Sequence, residues 1–238
     1  MSGVAGAKPV CVVVGVGPGS GAALARCFAA AGYALALIAR STDFSADLAR
    51  QLKSAQAYAC DIADEAAVAG VFENIRADLG EVDVLIMNAG TGDWGSIEQV
   101  SAAEFEAAWR TSALGTFLAS QQVIPSMKLS GHGTIIIIGA TASLRGVPNT
   151  AAVAPAKAAQ RILAESMART LGPSGIHVVV LVIDGVLDTP ATRAYFSDKP
   201  DDYFIKPLAL AETALILTQQ DRSAWSFQTE LRPFGEKW

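Results

Sequence analysis

Histidine, tyrosine, cysteine and charge are all scarce in this chain: 238 residues hold two His, four Tyr and three Cys, and only 17% are Asp, Glu, Lys or Arg. His132 and His177 lie far apart, and Cys11, Cys27 and Cys60 show no paired or metal-ligand spacing. A zinc site or a Cys/His nucleophile is therefore not expected, no metal ligands are assigned, and the thiols read as buried or inert. No apolar run approaches the roughly 18 to 20 residues that span a bilayer. The first residues lack the basic region and cleavage pattern of a signal peptide, so a cytoplasmic protein without membrane partners is the expectation. A net charge of -5 with no basic stripe gives no attraction to phosphate backbones, which sets nucleic acid aside as a partner.

Apolar residues are plentiful at 51%, enough for a sizeable core. Short apolar runs at Val10–Val14, Ala34–Ala39, Gln56–Cys60, Val82–Met87, Thr134–Ile138 and Ile176–Ile183 alternate with helical patterns. That alternation predicts a doubly wound α/β domain, a parallel sheet covered on both faces. Val68, Phe72, Ile75 and Leu79 fall at helical spacing between Asp64, an N-cap, and Gly80, a stop. Ser101 with Glu104 has the pattern of a capping box. With no linker and no repeat, residues 1–238 read as one domain. Pro190 to Pro207 is polar and aromatic without clear periodicity, either a lid over a site or a solvated loop. A helix at Ala209–Gln219 and a last strand within Ser226–Phe234 follow.

The first strand runs into Gly15-Val16-Gly17-Pro18-Gly19-Ser20-Gly21 and then a helix, Ala22 to Ala31. Glycines there let the chain turn tightly and bring its backbone to a pyrophosphate at the helix N-terminus. The spacing Gly15, Gly19, Gly21 resembles the short-chain dehydrogenase/reductase family, and further landmarks follow in order along nearly the whole chain. Asp61-Ile62 resembles the family's adenine-contacting pair and Asn88-Ala89-Gly90 its Asn-Ala-Gly motif. Gly185 to Thr189, with Leu187 and Thr189, resembles the stretch that meets the nicotinamide carboxamide, although Asp184 stands where Pro is usual. The resemblance implies a Rossmann-type sheet of seven strands, a nicotinamide cofactor, a small-molecule substrate and a homodimer or homotetramer.

A ribose 2'-OH is usually held by an acid at the end of the second strand, and a 2'-phosphate needs a cation. Here that strand ends Ile38-Ala39-Arg40-Ser41, with no carboxylate until Asp43, which favours NADP(H) over NAD(H). Pro18 occupies the other basic position of NADP-binding relatives, so Arg40 carries the preference alone.

The family's chemistry uses a Tyr as proton donor, a Lys four residues later, a Ser that stabilises the oxyanion and an Asn that supports the Lys through water. Lys157 fits, as catalytic and ribose-binding residue, in a helix expected over Ala151–Leu171. The Tyr position holds Val153, the Ser position Ala140 and the Asn position Ser112. Even the wider spacing of enoyl reductases falls on Thr150, and no Tyr lies between Tyr58 and Tyr195. Substitute groups are the hydroxyls of Thr141, Ser143 and Thr150, the phenols of Tyr195 and Tyr203 in the lid segment, and Asp184. The last is either held partly protonated by burial or a turn carboxylate accepting backbone N–H bonds. Asp93 and Trp94 are expected to edge the pocket, Trp94 by stacking or simply by packing. Two functions remain open: an NADP(H)-dependent oxidoreductase with a nonstandard site, acting on a small apolar carbonyl or activated C=C compound, or a catalytically weak cofactor-binding protein such as a nucleotide sensor or silent subunit.

Overall fold

A computed structural model describes residues 8–90 and 94–235. In chain order the main elements are β1 (Val10–Val14), α1 (Ser20–Ala30), β2 (Ala34–Ala39), α2 (Asp43–Gln51), β3 (Ala55–Ala59), α3 (Glu65–Leu79), β4 (Val82–Met87) and α4 (Ala102–Trp109). A π-helical segment, Arg110–Leu114, joins α4 to α5 (Gly115–Ser130), and β5 (Gly133–Ala140), α6 (Val153–Leu171) and β6 (Ile176–Ile183) follow. The last part comprises β7 (Val186–Leu187), α7 (Pro190–Tyr195), β8 (Phe204–Ile205), α8 (Pro207–Thr218) and β9 (Gln228–Leu231).

Seven strands form one parallel sheet in the order β3-β2-β1-β4-β5-β6-β9. Successive side chains of β1 divide between its two faces, as a period of two requires. Val10, Val12 and Val14 join a core with Phe72 and Ile75 of α3, Val123 of α5 and Ala164 of α6. Cys11 and Val13 join the opposite core with Leu24 and Phe28 of α1, Leu48 of α2 and Leu210 of α8. Burial on both faces explains why the central strands are almost uninterrupted Val, Ile and Leu. No helix among the described residues is long and apolar enough to cross a membrane.

Local signals behave as their chemistry demands. The Asp64 carboxylate accepts from the Ala67 N–H at 3.0 Å, and Gly80 ends α3 at φ 104°. The Ser101 hydroxyl and Glu104 carboxylate close a reciprocal capping box on α4. Several boundaries differ from the sequence expectation. β3 lies one residue earlier, and α6 starts at Val153 because the Ala151 N–H is drawn to the Gly95 carbonyl at 3.1 Å in a bridge between loops. α8 starts at Pro207, whose missing N–H costs nothing in a first turn. Residues 190–207 are ordered rather than aperiodic: Thr189 caps α7, and the β7–β8 ladder ties the two ends of the segment together.

Candidate functional site

In the order β3-β2-β1-β4 the direction in which strands are added across the sheet reverses between β1 and β4, and a crevice at the carboxyl ends of the strands is where such sheets bind ligands. The glycine loop leaves β1 at this point. Gly15 has φ 92°, and a Cβ there would lie 2.5 Å from the Ala89 nitrogen; a Cβ on Gly21 would lie 2.6 Å from the Gly15 carbonyl oxygen. These glycines thus let the loop, the first turn of α1 and the chain after β4 pack backbone to backbone. The Ser20 hydroxyl donates to the Asn88 side-chain oxygen at 2.8 Å, and the Asn88 amide donates to the Gly15 carbonyl at 2.7 Å. Thr189 closes the far side, its methyl 2.9 Å from where a Cβ on Gly19 would stand. Gly17 faces open space, with no atom within 4 Å of such a position. The cradle that side chains would fill fits a pyrophosphate, with the uncapped N-terminus of α1 at its base.

The structure therefore brings Gly15, Gly19, Ser20, Gly21, Asn88, Ala89, Gly90 and Thr189 together. Leu187 lies in β7 just before Thr189. Arg40 and Ser41 stand exposed at the end of β2; Arg40 makes no ion pair among the described residues, and Ser41 donates to the Asp43 carboxylate at 2.8 Å. After β3, Asp61 is exposed and accepts from the Ala63 N–H at 3.0 Å, while Ile62 is buried against Gly115. Burial and the charges of Asp61 and Asp64 push the neighbouring Cys60 thiol up to about 11, in keeping with an inert thiol. Asp93 lies outside the described residues. Trp94 is 65% exposed, so packing does not explain it.

Lys157 is buried on α6 beside this cradle. Its ammonium donates to the Ile138 carbonyl at 2.9 Å and to the Gln160 side-chain oxygen at 3.0 Å, and Nζ lies 3.6 Å from where a Cβ on Gly90 would be. Burial pushes its pKa down to about 8. Gln160 in turn donates to the Thr116 hydroxyl at 2.7 Å, which donates to the Ser112 carbonyl at 2.7 Å. Sequence reasoning missed Gln160 and Thr116; a polar residue on the buried stripe of α6, three positions after Lys157, was the available signal.

One turn before Lys157, Val153 is buried in an apolar cluster with Ala142 and Ala154, against which Ala140 packs. Two of the substitute hydroxyls, Thr150 and Thr141, already donate within the chain. Thr150 donates to the Val147 carbonyl at 2.6 Å and accepts from the Val147 N–H at 3.0 Å, and Ser143 accepts from the Ala140 N–H at 3.1 Å. Thr141 donates to Asp184 at 2.6 Å. Tyr195 is 82% exposed. A cavity of about 560 Å³ adjoins the apolar cluster through Ala142 and Ala154 and is bounded by Ile97, Leu144, Arg145 and Val147.

Asp184 corrects both sequence expectations. It is neither partly protonated nor a turn carboxylate, because it accepts from Thr141 and from Nε and Nη2 of Arg232 at 3.0 and 2.7 Å, with Arg145 at 3.6 Å. Burial pulls its pKa upward, but the Thr141 and Arg232 hydrogen bonds and the two guanidinium charges together hold it below the usual carboxylate range. Arg232 arrives from beyond β9, too distant in sequence to foresee.

The short chain dehydrogenase family model matches residues 9–200. The 3-oxoacyl-(acyl-carrier-protein) reductase FabG of Escherichia coli strain K12 is 31% identical over 191 residues, covering 80% of this chain and 78% of the relative. A protein named inactive 2-(S)-hydroxypropyl-CoM dehydrogenase 2, of Xanthobacter autotrophicus, is 30% identical over 179 residues, covering 75% of this chain and 78% of its own. The X-ray structure of an alcohol dehydrogenase from the archaeon Thermococcus sibiricus, complexed with 5-hydroxy-NADP, superposes with a TM-score of 0.86 at 27% identity, covering 97% of this chain and 98% of that one. In sequence and in fold, the chain belongs to the short-chain dehydrogenase family.

Proposed function

We propose that the protein is an NADP(H)-dependent oxidoreductase with a nonstandard active site, acting on a small, largely apolar carbonyl or activated C=C compound. The observation that carries this reading is the conjunction of an intact dinucleotide cradle, with Lys157 held beside it, and an apolar cavity of about 560 Å³ next to Val153. When bound, the nicotinamide supplies or accepts a hydride. Gly15, Gly19, Ser20, Gly21, Asn88, Ala89 and Gly90 hold the pyrophosphate and adjoining ribose, Asp61 and Ile62 the adenine, and Leu187 and Thr189 the carboxamide. Arg40 and Ser41 take the 2'-phosphate, which makes NADP(H) the preferred cofactor. The segment 190–207 lies over the substrate as a lid. Large apolar side chains exposed on α4, α5 and α6, among them Phe105, Phe117 and Ile162, support a homodimer or homotetramer.

The apolar cluster around Val153 favours one class of reaction. Losing a general acid costs about 10² to 10⁴ in rate, and losing an oxyanion donor costs about 10² to 10³. Reduction of an activated C=C bond tolerates these losses better than ketone reduction, because protonation of the enolate can follow hydride arrival. NADPH consumption over a panel of enones and ketones is the test. Turnover of enones above that of ketones is expected, and none above background with any compound, despite tight cofactor binding, defeats the proposal.

The second reading, a cofactor-binding protein with little catalysis, is favoured by the engagement of Thr141, Ser143 and Thr150 in hydrogen bonds within the chain. Val153→Tyr combined with Ala140→Ser separates the two. If the wild type lacks only those groups, ketone reduction rises by at least about a hundredfold; no gain means that the pocket itself is unsuited and supports a sensor or silent subunit.

A further inference from the structure

Val153 leaves the site without the proton donor expected there, yet the buried chain of hydrogen bonds behind Lys157 has a polarity that can supply one. Lys157, Gln160, Thr116 and Ser112 are 8%, 1%, 0% and 2% exposed, so their polar atoms depend on one another. A lysine ammonium only donates, which turns the Gln160 oxygen toward Lys157 and its NH₂ toward Thr116. Thr116, accepting from Gln160, donates its own hydroxyl hydrogen bond to the Ser112 carbonyl in the π-helical segment. Gln160 is thereby fixed in one orientation by α5 and by the segment before it.

We infer that Gln160, locked by Thr116, is a positioning residue that holds Lys157 as the site's own proton-exchanging group. This rests on the oxidoreductase reading given above. The two bonds to Ile138 and Gln160 occupy two tetrahedral positions of Nζ besides its own Cε, and the fourth remains. Gly90, which has no side chain, is the neighbour on that flank: a Cβ there would stand 3.6 Å from Nζ, in contact with it. Both protonation states satisfy the same two partners. The ammonium offers a third N–H at the remaining position, and the amine offers its lone pair there, so a proton can leave or return without rearrangement. In reduction by NADPH, one N–H bond of Lys157 breaks and its electron pair stays on nitrogen. The proton passes to the oxygen of the alkoxide or enolate formed from the substrate, and water then reprotonates the amine. Oxidation reverses these steps. Burial is what draws the titration of Lys157 down to about 8, and no charged side chain of β5, β6, α4, α5 or the π-helical segment contributes to that shift.

The test follows the Nζ signal of Lys157 by NMR in ¹⁵N-lysine-labelled protein saturated with NADP⁺, identified by its loss in Lys157→Met. Gln160→Glu places an anion against the ammonium and is expected to raise the titration midpoint by about one to three pH units. Gln160→Met removes the acceptor and is expected to lower it. The pH above which NADPH-dependent reduction falls, tenfold per pH unit, is expected to move with the midpoint in both variants. Midpoints unchanged by either substitution overturn the inference, as does a rate profile that stays fixed while the midpoints move. If no enone or ketone is turned over, the proposed reaction fails, and the NMR midpoints alone then decide for or against positioning by Gln160.

Discussion

Asp184 stands where one carboxylate gathers a hydroxyl and two guanidinium groups at the end of β6. Its folded pKa lies below its unfolded value, so the stabilisation it brings is present above about pH 4 and is lost as pH falls through the depressed folded value. Asp184→Asn is expected to destabilise the fold at pH 7 by on the order of 1 to 3 kcal/mol, between an exposed pair and a broken buried one. The gap between variant and wild type should close as the pH is taken from 5 to 2, read from urea midpoints. A gap that persists at pH 2 would trace the loss to shape instead of charge. Residues of this kind resist sequence reasoning. Asp184 is visible as an oddity, but its partners Thr141, Arg145 and Arg232 come from two other parts of the chain, and only their assembly determines whether burial or charge prevails.

At the scale of elements, residues 186–205 show how a stretch without periodicity becomes ordered. Arg193 of α7 binds the Asp188 carboxylate through Nε at 2.7 Å and Nη2 at 2.9 Å, and binds Asp201 through Nη1 at 2.7 Å. Its guanidinium also lies 4.0 Å from the centre of the Phe204 ring. One side chain thus joins the start of the segment to its end, parallel to the short β7–β8 ladder. Arg193→Ala is expected to speed amide hydrogen exchange across 186–205 while leaving β5 and β6 unchanged, as measured by mass spectrometry. Equal protection would mean that the two-stranded ladder suffices. Thr189 caps α7 with Pro190 at N1, a helix start that the sequence reading passes over in favour of a loop or lid. The sheet strands were legible because double-sided burial demands uninterrupted apolar runs. β9, with the sequence Gln-Thr-Glu-Leu at the sheet edge, carries little of that signal and was bounded only loosely.

For the molecule as a whole, seven parallel strands set the cradle, Arg40 and Lys157 along one rim, while the net charge of -5 disfavours anions at long range. The proposed selection of a 2'-phosphate must then rest on local contacts. Arg40→Ala is expected to weaken NADP(H) binding by about tenfold to a hundredfold, the worth of a charged hydrogen bond, and to leave NAD(H) unaffected. Calorimetry with both cofactors checks this, and equal losses for the two would show that Arg40 does not read the phosphate. The order of synthesis adds a consequence of the outermost strand. β9 pairs with β6 and is followed at once by Arg232, beyond the region that the family model matches. While the chain emerges from the ribosome, Asp184 is made nearly fifty residues before its guanidinium partner, and the edge of β6 stays bare for the same interval. The cleft thus acquires its final charge balance only after residue 232 has been translated, and a nascent chain stalled before that point would present an uncapped sheet and a carboxylate without its main counter-ion.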